Sequence, residues 1–386
     1  MAKKAKEGIT YAGSGVNYDD MDPFKRACQK RAALTSQNAK RLGVEPLEWT
    51  RGESVYVVKI GNRYHGHVEE GLGTKNIVAD LLRRQLAILK AIKLAKCKSF
   101  YNQIAQCTVA MIVNDMVTLG IFPTTVDMHL AVGDSKWFRD QQRVDDLIEG
   151  FGDACDKARC IWGGGETPTL KGIVMQRSAL LSGSAAGVSS RYLINPDFIG
   201  VGDVIVLVES NGLMANGFTL ARAIAKKLPK GYLTKLPDGT SFGEALLAPT
   251  PIFVDLVEDC LDGGVDIHYC VNITGHGWRK LMRAKQSFTY VIKKLPTPRP
   301  IFDFIMKHGP VDVEEAYGNL NMGAGFALYV PRRDVNKVIA IAKKLGKRAF
   351  DAGFIKEGPK RVEIEPVTTD MMPRGLWFGS GSLAVR

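Results

Sequence analysis

An α/β fold in two domains is what this sequence of 386 residues predicts, on three observations. Strand-like runs alternate with helix-like runs along most of the chain, and glycine-rich turns join them. The alternation lapses once, between residues 189 and 202, where Asn195-Pro196 and Gly200-Val201-Gly202 supply breakers. At roughly 150 residues per domain the length gives each half a core of its own, so the domains are set at 1–195 and 196–386.

The elements follow in order. The first fifty residues carry Lys25-Arg26, Lys30-Arg31 and Lys40-Arg41 in helix-forming sequence, which reads as a solvated helical face before it reads as a nucleic-acid patch. A β-branched strand is expected over 54–60, a glycine turn over 71–75 and an amphipathic helix over 76–94. A second helix over 100–119 leads through Gly120 and Pro123 to a strand at 125–132, and 142–158 is helical again. In the second half a strand at 203–209 precedes a helix at 216–228, a turn-rich stretch at 229–240 and a helix at 252–261. Strands at 267–273 and 288–292, a helix at 301–308, a strand at 324–329 and a helix at 333–345 complete it. No period of 20 to 50 residues recurs, which excludes a solenoid or propeller.

Composition narrows the function classes. Apolar residues are 45% and charged residues 24%, a globular balance and not a disordered one. Lysine and arginine outnumber acids by 52 to 40, a formal +12 that favours anionic ligands of any size without identifying one. The seven cysteines are odd in number and scattered, which fits reduced thiols in a cytoplasmic protein better than a disulfide framework. No apolar stretch follows the basic start, and the most apolar run, 109–119, is broken by Asn114 and Asp115, so neither a secretion signal nor a membrane span is expected.

Four segments can carry chemistry. In Glu69-Glu70-Gly71-Leu72-Gly73-Thr74-Lys75, two glycines let backbone N–H groups approach an anion beside a helix start. Lys75 adds charge, and the acids before the loop suit Mg²⁺. The alternative is a plain strand-to-helix turn with solvated acids. Asn114-Asp115 interrupt an apolar helix, which costs a few kcal/mol unless a ligand, a metal or a domain contact supplies partners. Gly163-Gly164-Gly165-Glu166-Thr167 joins flexible backbone to one carboxylate, and Asn211-Gly212-Leu213-Met214-Ala215-Asn216-Gly217 is a further cradle after the second domain's first strand. Two signals are discounted. Gly239-Thr240-Ser241-Phe242-Gly243 matches the spacing of a nucleophile elbow but follows a Pro237-Asp238 turn where the elbow needs a strand. His65-Gly66-His67 places two imidazoles on one strand face with no third zinc ligand nearby.

Taken in order, these segments resemble the phosphoribosylformylglycinamidine cyclo-ligase family, the aminoimidazole ribonucleotide synthetases. The resemblance spans nearly the whole chain. It runs from Tyr11-Ala12-Gly13-Ser14-Gly15-Val16-Asn17 through the Gly71 to Lys75 loop, Val113-Asn114-Asp115-Met116-Val117, Gly164-Gly165-Glu166-Thr167 and Asn216-Gly217. Leu246-Leu247-Ala248-Pro249-Thr250, Ile273-Thr274-Gly275-His276-Gly277 and Asn321-Met322-Gly323-Ala324-Gly325 follow.

The resemblance implies a two-domain synthetase-like α/β fold, an N-terminal ATP-binding domain that pairs its sheets in a homodimer, and a mixed α/β C-terminal domain. It further implies ATP and Mg²⁺ as cofactors, an anionic ribonucleotide substrate, and neither a membrane nor a nucleic-acid partner. In the implied reaction the formyl oxygen of formylglycinamidine ribonucleotide takes the γ-phosphoryl group, and a substrate nitrogen then displaces phosphate. Aminoimidazole ribonucleotide, ADP and phosphate are the products. Carried over by position, Lys75, Asp115 and Glu166 are catalytic, and Glu70 with Asp115 holds metal. Gly71, Gly73, Thr74, Lys75, Asn114, Asn216 and Gly217 bind nucleotide, while Gly164, Gly165, Glu166, Thr167, Thr274 and Gly275 bind substrate. The chain departs from the pattern at four places. Glu70 stands for an aspartate, Met214 for a histidine and Pro251 for an arginine, and His276 interrupts a run of glycines. The departures leave two other readings open, an ATP-dependent phosphoryl-activating relative with another acceptor and a non-catalytic nucleotide- or RNA-binding relative.

Overall fold

The computed structural model describes residue 15 and residues 18–382. The motif at residues 11–17 therefore lies outside the described residues except for Gly15. Helix α1 (Tyr18–Ala33) precedes a first sheet built from β1 (Val44–Pro46), β2 (Tyr56–Ile60), β3 (Arg63–Gly71), β4 (Phe122–Val132), β5 (Ile161–Glu166) and β6 (Ala179–Ser189). Between these strands run α2 (Lys75–Leu89), α3 (Tyr101–Met116) and α4 (Gln141–Lys157). The strand order is β1-β2-β3-β6-β4-β5, with β4 and β5 parallel and the other neighbours antiparallel.

Sequence periodicity misses the strand that joins the two halves of this sheet. β6 reads Ala-Leu-Leu-Ser-Gly-Ser-Ala-Ala-Gly-Val-Ser, poor in β-branched residues. Its glycines answer to packing. A Cβ on Gly183 would enter the Asp127 carbonyl, and one on Gly187 would meet Met116 Sδ and Ile121, so the strand stays bare where α3 and β4 approach it. β5, expected as a glycine loop, is likewise a strand at the sheet edge.

The second sheet has seven strands, ordered β13-β12-β9-β11-β7-β10-β8. These are β7 (Val204–Glu209), β8 (Tyr269–Asn272), β9 (Phe288–Ile292), β10 (Ala324–Val330), β11 (Ala349–Glu357), β12 (Arg361–Ile364) and β13 (Leu376–Gly379). Its helices are α5 (Phe218–Lys227), α6 (Phe242–Leu246), α7 (Val254–Asp262), α8 (Pro300–His308), α9 (Val313–Asn319) and α10 (Val335–Lys344). β7 and β10 are buried at every position, as central strands covered on both faces must be. Ser241 caps α6 in a capping box with Glu244, which disposes of the elbow-like spacing as a helix start. Among the described residues no helix is long and apolar enough to cross a membrane.

Candidate functional site

Period-two alternation decides where β3 ends. Glu69 points to the outer face of the first sheet, whereas Glu70 turns inward toward α3. There it faces Asp115, one helical residue beyond Asn114, and both face Lys280 from the segment after β8. Asn272 Nδ2 donates to Asp115 Oδ1 at 2.7 Å, and Lys280 Nζ donates to Thr274 Oγ1. Arg283 stands beside the group and donates to the Gly52 carbonyl at 2.8 Å. The cluster thus lies on the seam between the two sheets, with acids from the first half and amide and cations from the second. On α1, Asp22 and Lys25 approach His276.

The electrostatics are those of charges short of water. Burial first, and then the Asp115 carboxylate, push Glu70 up to about 7 against the pull of Lys280. Burial pushes Lys280 down to about 8, although Asp115 and Glu70 both favour its charge. His276 is pushed down to about 3 by burial and by Arg279 and Lys280, so it is neutral at ordinary pH and adds no cation to the site. The Asn272 Oδ1 atom is buried without a hydrogen-bond donor. Two carboxylates and a bare amide oxygen are hard donors, a set that fits Mg²⁺ with water filling the remaining positions. Among the described residues no group of three or more His, Cys, Asp or Glu forms a metal cage, which a cation shared with phosphates does not need.

Glu70 gives a pH-dependent expectation. Its proton affinity is higher folded than unfolded, so its contribution to stability is present in acid and is lost as pH rises through about 7. At about 1.4 kcal/mol per tenfold change, and allowing for residual solvent contact, Glu70→Gln gains about 2 kcal/mol over the unsubstituted chain at pH 8 without divalent cation, and nothing at pH 4. Urea midpoints at both pH values check this; equal midpoints at pH 8 refute it.

Other expected residues lie elsewhere. Lys75 is fully buried. Its ammonium donates to the carbonyls of Met214 at 2.7 Å and Ala248 at 2.8 Å and to Cys107 Sγ at 3.0 Å, and sits 5.2 Å above the Phe218 ring. This ties α2 to two loops of the second half and corrects the expectation of a lysine open to phosphate. Asn114, expected at the nucleotide, is engaged in a comparable contact. Its Nδ2 donates to the Pro251 carbonyl at 2.8 Å and its Oδ1 accepts from Phe253 N at 2.8 Å, so its amide serves the domain contact. Pro251 offers that carbonyl where the family pattern has a cation.

Met214 and Gly217 belong to packing. Met214 is 3% exposed at φ 61°, beside Phe253, and a Cβ on Gly217 would strike Leu320. Met214→His would bury an imidazole without a partner, an expected loss of about 1–3 kcal/mol in urea unfolding. An unchanged midpoint would show that the pocket accepts the ring. Asn216 sits next to Gly217, which takes φ 87° at the start of α5.

Gly71, Gly73 and Thr74 keep their predicted place directly after Glu70. Gly73 takes φ 72° with open space beside it, and the Thr74 hydroxyl is buried without a partner. Gly164, Gly165, Glu166 and Thr167 are set apart from that loop. With Glu69, Asp127, His129, Ser182 and Ser184, the first three line a groove of about 650 Å³ on the outer face of the first sheet. Glu166 is exposed, its Oε1 accepting from Thr167 N at 3.1 Å. Thr274 joins the inner cluster through Lys280, and Gly275 adjoins it. Sequence reading missed Lys280, Arg283 and Asn272, since no motif flags a lone lysine in a Trp-Arg-Lys run.

Two family models match in tandem, the AIR synthase related protein N-terminal domain over residues 85–188 and its C-terminal domain over residues 200–365. The chain belongs to the AIR synthase related family. A curated phosphoribosylformylglycinamidine cyclo-ligase of Methanocaldococcus jannaschii is 31% identical, over 87% of this chain and 89% of its own. That of Methanothermobacter thermautotrophicus is 29% identical over 93% of this chain and 98% of its own. The Clostridium acetobutylicum cyclo-ligase is 28% identical over 92% of this chain and its full length. Solved structures share the fold at lower identity. A chain of the HypE–HypF complex aligns with a TM-score of 0.57 at 16% identity, over 86% of this chain and 94% of that one. AaThiL complexed with AMPPCP and TMP aligns with a TM-score of 0.56 at 15%, over 97% of this chain and 98% of that one.

Proposed function

We propose that this chain catalyses the ATP-dependent closure of formylglycinamidine ribonucleotide to aminoimidazole ribonucleotide, with release of ADP and phosphate. The observation that carries this reading is the match to curated cyclo-ligases across both domains, over 87–93% of this chain and 89–100% of theirs. The inner cluster supplies parts that the chemistry needs. Glu70 and Asp115 would hold Mg²⁺, which when bound neutralises charge on the nucleotide phosphates. The Gly71 to Thr74 backbone and the Thr74 hydroxyl would receive a phosphate at the start of α2. Lys280 would meet charge that builds on oxygen as the γ-phosphoryl group moves to the formyl oxygen, and a substrate nitrogen then closes the ring with loss of that phosphate. A carboxylate pair flanked by one ammonium suits this work, since the protein has to position anions and balance charge more than form bonds of its own.

We place the homodimer interface on the outer face of the first sheet, where Ile161 is 66% and Leu180 48% exposed beside the groove. Gly164, Gly165 and Glu166 would then serve a site near that interface. A cytoplasmic location follows from the substrates.

The test is ADP release with Mg–ATP, with and without formylglycinamidine ribonucleotide. ADP matched mole for mole by aminoimidazole ribonucleotide is the expected result. ATP binding without substrate-dependent turnover would instead indicate another acceptor, in keeping with Met214 and Pro251 where the family pattern has a histidine and an arginine.

A further inference from the structure

We propose that Cys155 and Cys160 form a thiol–disulfide exchange site for a small disulfide, with Cys160 attacking it and the buried Cys155 resolving the adduct. Backbone geometry brings the pair together. α4 closes with a hydrogen bond from Cys160 N to the Cys155 carbonyl at 3.1 Å and another from Arg159 N to the Asp156 carbonyl at 3.0 Å, with Arg159 at φ 55°. This paired closure around one left-handed residue folds the side chain after it onto the side chain five residues earlier. Cys155 and Cys160 accordingly face each other across the turn, where Cys155 favours the thiolate of Cys160 and Cys160 raises the affinity of Cys155 for its proton.

The pair has the asymmetry that exchange requires. Cys155 is 3% exposed, whereas Cys160 is half-buried and can be reached from solvent. All seven cysteines of the chain are free thiols. The turn between them is held from outside. Arg159, a bulky residue in a conformation that suits glycine, pairs with Glu258 at 2.7 Å and Asp259 at 2.9 Å on α7. The chain leaves Cys160 directly into β5 and its Gly163 to Glu166 segment, so a cross-link at the turn bears on the groove edge.

In the first step the Cys160 thiolate attacks one sulfur of the small disulfide, forming a mixed disulfide and expelling one thiolate. Cys155 then gives up its proton and attacks Cys160 Sγ, forming the internal disulfide and expelling the second thiolate. The protein dithiol is oxidised by two electrons, the external disulfide is reduced to two thiols, and the two protons end on those thiols.

Oxidised glutathione serves as the probe on the native full-length chain, followed by rapid alkylation and peptide mass analysis. The expected result is an internal Cys155–Cys160 disulfide that dithiothreitol reverses. Cys155→Ser should stop at a glutathione adduct on Cys160, and Cys160→Ser should abolish modification at both positions. The proposal is overturned if the folded native chain keeps the adduct on Cys160 without closing the bridge, or if Cys155 is modified in Cys160→Ser. Circular dichroism of both variants, each a change of sulfur to oxygen, establishes that they are folded before they are compared.

Discussion

Asp115→Asn is expected to lower substrate-dependent ADP release by about 10²- to 10³-fold, a loss as large as that of one preorganised donor to a developing anion, because the cation that would neutralise that charge loses a ligand. The amide matches the carboxylate in shape and can still accept the hydrogen bond from Asn272, so the fold should survive. What disappears is the negative charge that, with Glu70, would hold Mg²⁺ and that keeps the Lys280 ammonium protonated in a site where burial disfavours it. Two measurements are needed. Coupled ADP assays should show the loss, and the rise in melting temperature on adding Mg²⁺ should vanish with it. Turnover within tenfold of the unsubstituted chain would make Asp115 a structural residue of the domain seam.

Lys75→Met is expected to destabilise the protein by about 3 kcal/mol. The side chain keeps its length, but the buried carbonyls of Met214 and Ala248 lose their donor, at about 1–3 kcal/mol for each group left unsatisfied. The contact with the Phe218 ring is lost as well. Urea unfolding should show the drop in midpoint, and nucleotide titration of the folded variant should show binding near that of the unsubstituted chain. A variant with normal stability and lost nucleotide binding would restore the role that the Gly-x-Gly-Thr-Lys spacing suggests. The ammonium would then have to leave its three partners when nucleotide binds.

The candidate site was legible in part. Glu70 and Asp115 could be singled out because carboxylates before a glycine loop and within an apolar helix are costly unless partnered, and they do meet. The same reasoning flagged Lys75 and Asn114 and could not tell a ligand from a domain contact, since both satisfy a buried polar group equally well. The carbonyl partners of Lys75 lie 139 and 173 residues away and the amide partner of Asp115 lies 157 away, beyond the reach of any local pattern. Lys280 escaped notice because its perturbation comes from burial against the opposite half of the chain. β6 escaped for another reason. Its small residues suit a crowded helix–sheet contact and weaken the strand signal that periodicity reads.

What the sequence alone determined is therefore the local grammar: the α/β alternation, the glycine turn after Glu70 that leads into a helix, and the polar pair Asn114-Asp115 set in an otherwise apolar helix. Each rests on forces acting within a few residues, such as side-chain period, backbone hydrogen bonding and glycine freedom. Only the tertiary structure decided which flagged polar groups face one another across the seam and which tie it shut. Desolvation and pairing of charge depend on which surfaces the two halves bury together, and that is a property of the packed molecule.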